Sequence, residues 1–361
     1  MDGDIFWAHS GPMETFETLV RTEFAPKNTY LNTASTGLLP ARTVTAMRAA
    51  VESVAAGQPA DMFADVEAAR SSFARLVGVP ERRVAAGASV AVYSGLIAAS
   101  LPPGAEVLTA EADFSSVVTP FHVRGDLKVR AVPLERIAES VHSGTALVAV
   151  SAAQSADGRI AGLEAIREAA REHGARTYID ASQAAGWLPL SADAYDYVSS
   201  VAFKWLVCPR GVAFLVVPED LGGLTPVFAG WVAGETPWDS CYGPVEELAH
   251  SARRFDESPS LFAYAGARHS LELLEELGVE RVRDHNLALA DRFRAGLLQR
   301  GHEPVTAPGS SIVSVPGLGG LQPELSRAGV EVSDRSGNLR AAFHLYNTPD
   351  DVDRLLDVLP G

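Results

Sequence analysis

At 361 residues and 47% apolar composition the chain can bury a large core, and it exceeds the size at which one core usually keeps growing, so two domains are expected. A net charge of −15 lacks the basic footprint that nucleic acid or an anionic membrane surface requires, which leaves a small molecule as the expected partner. Only Cys208 and Cys241 are present and the nine histidines are scattered singly, so neither a disulfide framework nor a metal site is expected. The start, "MDGDIFWAHSG", has no basic segment and apolar run of a signal peptide, and no apolar stretch approaches the roughly 20 residues that span a bilayer. A cytoplasmic chain is therefore expected.

From about residue 84 to 217, short apolar runs alternate with helix-like segments: "AEVLTA", "VRAVPL", "ALVAVS", "RTYID", "YDYVSSVAF" and "GVAFLVV". Runs of this kind suit strands buried on both faces, so an α/β fold with a mostly parallel central sheet and helices on both faces is predicted. Between two of them "LEAIREAAREHG" puts Leu163, Ile166 and Ala170 on one helical face, with Gly174 as the stop of a crossover helix. Beyond residue 250 longer amphipathic helices take over, with Val282, Leu289, Phe293 and Leu297 sharing one face. The last, "NTPDDVDRLLDVL", has Thr348 as N-cap, Pro349 in the first turn and two aspartates facing the positive end of the dipole. The predicted division is an N-terminal segment 1–25, a large α/β domain 26–250 and a smaller α+β domain 251–361.

Two residues stand out chemically. Asp180 ends the strand "RTYID", and in open α/β sheets ligands collect at the carboxyl ends of strands; a helix cap is the competing reading. Lys204 sits in "SSVAFKWLVCPRGVAFLVV", almost surrounded by apolar and small residues. A buried amine loses its proton more readily and can then form a Schiff base; the ordinary alternative is a side chain that snorkels to water or pairs with an acid. An aspartate to hold a pyridinium nitrogen and a lysine to bind an aldehyde are together what pyridoxal 5'-phosphate asks of a protein.

The run "YIDASQAAGWLPLSADAYDYVSSVAFKWLVCPRGVAFLVV" resembles the core signature of the class V aminotransferase family, fold-type-I pyridoxal phosphate enzymes that include cysteine desulfurases, isopenicillin N epimerase-like enzymes and kynureninases. The likeness extends from "YLNTASTGLLP" to "LRAAFHLYNTPDDVDRLL". It implies Lys204 as the Schiff-base lysine, Asp180 as partner of the ring nitrogen and Gln183 as a hydrogen-bond partner of the phenolic oxygen. Gly87, Ala88 and Ser89, in "AAGASVAVYSGLIAASLP", would hold the phosphate at a helix N-terminus. Phe114, in "EADFSSVVTPF", would lie over the cofactor as in the epimerase and kynureninase branches. Ser155 falls where the family commonly has asparagine, with Gln154 as its neighbour alternative. Arg340 matches the arginine that clamps the substrate carboxylate; Arg335 and Asn32 are further substrate-side candidates. Trp231, in "FAGWVAGETPWDSCYG", matches a segment delivered across a homodimer, and "ARRFDESPS" offers Ser258 and Ser260 in place of a family threonine.

Two departures from the family pattern matter. No cysteine lies between Arg335 and Arg340, so sulfur transfer through a persulfide is not expected. Val201 and Phe203 stand where serine and histidine or tyrosine commonly bind the phosphate, which leaves that task to the 87–89 loop, the partner subunit, or Ser199 and Ser200. The resemblance implies an enzyme working at the α-carbon of a small L-amino acid or amine-bearing intermediate, with elimination or side-chain cleavage ahead of amino transfer and epimerisation, and a non-catalytic scaffold as the reading of another class.

Overall fold

The computed structural model describes residues 15–58 and 61–360. Most of the expected N-terminal segment 1–25, including "MDGDIFWAHSG", lies outside them. A seven-stranded sheet forms the centre, and its strands in chain order are β1 (Val84–Gly87), β2 (Glu106–Ala110), β3 (Lys128–Val132), β4 (Thr145–Ser151), β5 (Arg176–Asp180), β6 (Tyr197–Val201) and β7 (Ala213–Val216). They lie side by side in the order β1-β7-β6-β5-β4-β2-β3. Only β7 runs antiparallel to its neighbours; the other pairings are parallel.

Each apolar run singled out in the sequence forms one of the strands β2 to β7. The expected crossover helix is Leu163–His173, closed by Gly174 at φ 71, a left-handed angle that glycine adopts without a Cβ clash. Strand β1 is the addition. Its sequence, Val-Ala-Ala-Gly, is short and poor in β-formers, so it reads as the lead-in to a turn rather than as a strand. Burial on both faces by the sheet's helices is what makes it one.

Helices Ala41–Ala55 and Met62–Leu76 pack on Leu261–Leu277. A separate core gathers Leu289, Phe293 and Leu297 of the helix Val279–Gln299, Leu339 and Phe343, Leu355 of the final helix, and Leu31 from the N-terminal side. Its three-stranded antiparallel sheet comprises Ile312–Val315, Ser333–Arg335 and Asn338–Ala342. The final helix, Pro349–Val358, carries the reciprocal cap expected: Thr348 accepts from the Asp351 amide while the Asp351 carboxylate accepts from the Thr348 amide. Residues Thr29–Tyr30 pair with Val330–Glu331 in a separate two-stranded sheet, and Asn32 bridges to Ala342 of the three-stranded one, so the chain is tied on this side before Gly37 reaches the Phe203 carbonyl.

Candidate active site

Parallel strands β5 and β6 end side by side, Asp180 paired in register with Ser199, and deliver their following loops to one edge of the sheet. Asp180 is buried, and its Oδ1 accepts from the Ser182 amide at 3.0 Å and the Ser182 hydroxyl at 2.6 Å. Its other oxygen has no hydrogen-bond partner among the described residues. Burial raises the Asp180 pKa; the Ser182 hydroxyl and then the charge of Lys204 oppose that shift.

Lys204 stands three residues beyond β6 and is only 6% exposed. Burial brings its pKa down to about 8; the Asp180 carboxylate opposes this, whereas Arg340, Arg210 and Arg335 add to it. Its backbone is clamped from two sides. The Gly37 amide donates to the Phe203 carbonyl at 2.8 Å, and a Cβ on Gly37 would come within 2.0 Å of the Lys204 carbonyl oxygen. Gly186, at φ 100, packs against the Trp205 carbonyl in the same manner. Val207 is held at φ 49, which a β-branched residue adopts only under constraint from its surroundings.

Phe114 lies over the lysine, with Nζ 5.0 Å from its ring centre. The ring is 42% exposed and so covers the site from the solvent side. It is aimed by Asp113, a residue that carried no signal in the sequence. The buried Asp113 carboxylate accepts from the Phe114 amide at 2.6 Å, from the Ser151 amide at 2.9 Å and from the Ser151 hydroxyl, which ties the turn to the end of β4.

Gln183 is oriented by two indoles. Trp205 Nε1 donates to its Oε1 at 2.7 Å and Trp187 Nε1 to its backbone carbonyl at 2.8 Å, so the NH₂ end faces the other way. There it donates to the Ala34 carbonyl and to Ser155 Oγ, both at 2.9 Å. Ser155 in turn accepts from Arg340 at 3.2 Å, whereas Gln154 turns to Asp113 at 3.3 Å. Of the two neighbours, Ser155 is thus the one linked to both Gln183 and Arg340.

Arg340 is buried, and its partners are the Ser155 carbonyl and the hydroxyls of Ser155, Ser333 and Ser35. Arg335 donates to the same Ser35 hydroxyl at 2.8 Å. Burial first, and the Arg335 charge second, lower the Arg340 pKa. Asn32 lies in this segment, and its side-chain oxygen is buried without a partner among the described residues.

At the same edge of the sheet, on the far side of β7 from β6, β1 runs out at Gly87 and the helix Val90–Ser100 begins after Ser89, whose hydroxyl makes no cap of its own. The Ala88 amide is taken: it donates to Glu257 Oε2 at 2.8 Å, and a Cβ on Gly87 would meet that same oxygen at 2.7 Å. Glu257 also donates its own amide to the Ala86 carbonyl at 3.2 Å, so the 252–257 turn is laced onto β1. Ser199 and Ser200 are fully buried, with hydroxyls bonded to Tyr178 and to the Val201 carbonyl, and so are not offered to the cleft. Cys208 is buried beneath the lysine turn, where desolvation raises its thiol pKa and keeps it protonated. Trp231 stands apart, packed edge-on against Phe63 and tilted on Trp238.

A mostly parallel sheet with a desolvated lysine and a half-partnered buried aspartate at its carboxyl edge, under an aromatic ring, defines a fold-type-I pyridoxal phosphate enzyme. The residues fit that cofactor on this structure's own terms: one Asp180 oxygen has no partner among the described residues and would suit a ring N–H, and burial presses Lys204 toward the neutral amine. The chain belongs to the aminotransferase class-V family, whose profile matches residues 29–355, and its cofactor is pyridoxal 5'-phosphate.

It is 29% identical to an isopenicillin N epimerase of Amycolatopsis lactamdurans, over 92% of this chain and 95% of that one. An uncharacterized aminotransferase of Bacillus subtilis is 27% identical, over 81% of this chain and 82% of its own length. Among solved structures, the cystine C-S lyase C-DES superposes with a TM-score of 0.84 at 22% identity, over 92% of this chain and 97% of that chain. The cysteine desulfurase CsdA of Escherichia coli gives 0.82 at 20% identity, over 95% and 97%. A further C-DES structure carries glycine covalently linked to the cofactor.

Proposed function

We propose that the protein is a lyase that cleaves a bond beyond the α-carbon of a small L-amino acid or amine-bearing biosynthetic intermediate. When bound, pyridoxal phosphate supplies an electron sink next to the substrate α-carbon. Asp180 accepts the ring N–H through its unpartnered oxygen and keeps that proton in place. Lys204, through its neutral amine, would hold the cofactor's aldehyde carbon, and the same amine would be placed to take the α-proton. Arg340 exchanges the serine hydroxyls around it for the substrate carboxylate, a stronger, charge-assisted partner. Gln183, with its donor end fixed by Trp205, would hydrogen-bond the phenolic oxygen by giving up its bond to Ser155 Oγ; Gly87, Ala88 and Ser89 would hold the phosphate once Glu257 releases the Ala88 amide; Phe114 would keep water off the open face.

The observation that carries the choice of chemistry is the turn between Arg335 and Arg340. Strands Ser333–Arg335 and Asn338–Ala342 are joined by Ser336 and Gly337 alone, at φ 55 and 84, the tightest kind of hairpin. Asp334 accepts from the Gly337 amide at 2.8 Å and closes it. Such a turn has no length to carry a nucleophilic cysteine into the cleft, which supports cleavage without a persulfide on the protein. The test is to incubate the loaded protein with L-amino acids with and without pyruvate. Ammonia and a keto product without acceptor support the lyase; strict dependence on acceptor replaces it with amino transfer. The likeness to an isopenicillin N epimerase favours inversion as a second reading, seen as solvent deuterium at the α-carbon with loss of optical rotation and no cleavage.

The segment 227–242 is read as a homodimer contact. It leaves Phe228, Trp238 and Tyr242 exposed in one stretch of chain around Trp231, and exposed apolar residues grouped in this way mark interaction surfaces. Sedimentation of the wild type as a dimer, and of Tyr242→Asp/Phe228→Asp as a monomer, tests this.

A further inference from the structure

The chain carries 45 acidic residues against 30 lysines and arginines, so a guanidinium has no shortage of carboxylates to meet. Elsewhere buried arginines find them: Arg70 pairs with Asp256 at 2.7 Å, and Arg83 with Asp193. Around Lys204 the pattern reverses. Buried Arg340, half-buried Arg335 and exposed Arg210 make no ion pair among the described residues, and their side-chain partners are neutral oxygens. Arg340 and Arg335 share the Ser35 hydroxyl at 2.8 Å each, and Arg210 donates to the hydroxyl of the next residue, Thr36, at 2.9 Å. Three positive charges thus converge on two adjacent hydroxyls.

The anions already assigned do not match that charge. The substrate α-carboxylate goes to Arg340, and the cofactor phosphate goes to the other end of the site, at Ala88. Asp180 is committed to the ring nitrogen. Arg335 and Arg210 remain. Arg210 sits over the Phe203 ring with its charge centre 4.1 Å from the ring centre and one N–H on Thr36, and its remaining N–H groups are left to bind an oxyanion. Holding like charges together without a counterion is unfavourable in the free protein, and a second anionic group on the ligand relieves it.

We propose that the substrate is an amino acid with an anionic side chain, its α-carboxylate on Arg340 and its second acidic group on Arg335 and Arg210. This rests on the enzyme reading above and specifies its substrate class: dicarboxylates, or amino acids bearing a sulfinate, sulfonate or phosphonate. It also assigns a role to Arg210, which no motif marked.

The probes are two isosteric pairs, L-aspartate with L-asparagine and L-glutamate with L-glutamine, titrated against the cofactor-loaded protein by its absorbance change. The acid of at least one pair binds tenfold or more tightly than its amide, the size expected when a charged hydrogen-bond partner replaces a neutral one. Arg210→Met brings that ratio to within about twofold by weakening the acid more than the amide; Arg210→Lys restores part of the preference. Arg340→Met weakens both members of the pair alike. Equal binding of acid and amide by the wild type in both pairs overturns the proposal. So does an Arg210→Met variant that keeps the ratio but loses cofactor affinity, since that would make Arg210 a phosphate ligand. A protein that never develops the cofactor's absorbance fails at the earlier reading instead; calorimetry of the same pairs on the cofactor-free chain then decides the arginine proposal separately.

Discussion

Glu257 stands where the phosphate is proposed to bind, and its removal should strengthen cofactor binding. Its carboxylate accepts the Ala88 amide at 2.8 Å, the same amide a phosphate oxygen would need. Two unit charges about 4 Å apart repel by about 4 kcal/mol at an effective dielectric near 20. Glu257 is half-buried, so screening and rotation of the side chain toward solvent leave about 1–1.5 kcal/mol of that, or roughly tenfold in affinity. Glu257→Gln keeps the shape and removes the charge. The measurement is a titration followed by tryptophan fluorescence in a Lys204→Ala background, where no covalent bond to the lysine contributes. Pyridoxal phosphate should bind about ten times more tightly to the Gln variant, while pyridoxal, which lacks the phosphate, should bind both proteins alike. If the Gln variant binds pyridoxal phosphate no better, or gains equally for pyridoxal, Glu257 does not compete with the phosphate.

Covalent capture of the cofactor by Lys204 should follow the neutral amine: its rate rises with pH and levels off above about 8, where an ordinary lysine would still be rising toward 10.5. Because Asp180 holds the lysine pKa up, Asp180→Asn should move that midpoint to lower pH; a stopped-flow pH profile with an unmoved midpoint contradicts the coupling. Phe203→Tyr, which supplies a hydroxyl at a position where the family has a phosphate ligand, should lower the dissociation constant of pyridoxal phosphate severalfold, and unchanged or weaker binding would remove position 203 from the phosphate's surroundings. Gly37→Ala forces a methyl group onto the Lys204 carbonyl and should reduce stability by about 1–3 kcal/mol in urea titration, since the neighbour is backbone and cannot rotate aside; an unchanged midpoint would show that the clamp yields freely.

Much of the sheet was legible because its strands are continuous apolar runs bounded by turn residues, and periodicity survives any tertiary context. The same holds for the final helix, whose Thr348 and Asp351 are local partners. Lys204, Asp180 and Gln183 were legible for a different reason: they sit in one stretch of 25 residues whose order is characteristic. What escaped depends on contacts between distant segments. Glu257 reaches Ala88 across 169 positions, and Ser35 reaches Arg340 across 305. Neither residue has a spacing that announces its partner. Asp113 escaped because nothing in its own segment points to Ser151; only the fold shows its carboxylate turned onto that residue. Ser155 was the expected position and Gln154 its neighbouring alternative, and which of the two meets Gln183 and Arg340 depends on which way the loop after β4 turns.

The short stretch Ser35-Thr36-Gly37 touches everything that must change during a turnover. Ser35 keeps company with two arginines and Thr36 with the third, while Gly37 bonds the residue before Lys204. When a carboxylate displaces the Ser35 hydroxyl, the next two residues feel the pull, and the second of them is seated on the lysine's own turn. On the proposed substrate site, ligand arrival and amine release would be joined by one short lever. Mutations in it should change substrate affinity and cofactor retention together, so neither property can drift here without the other.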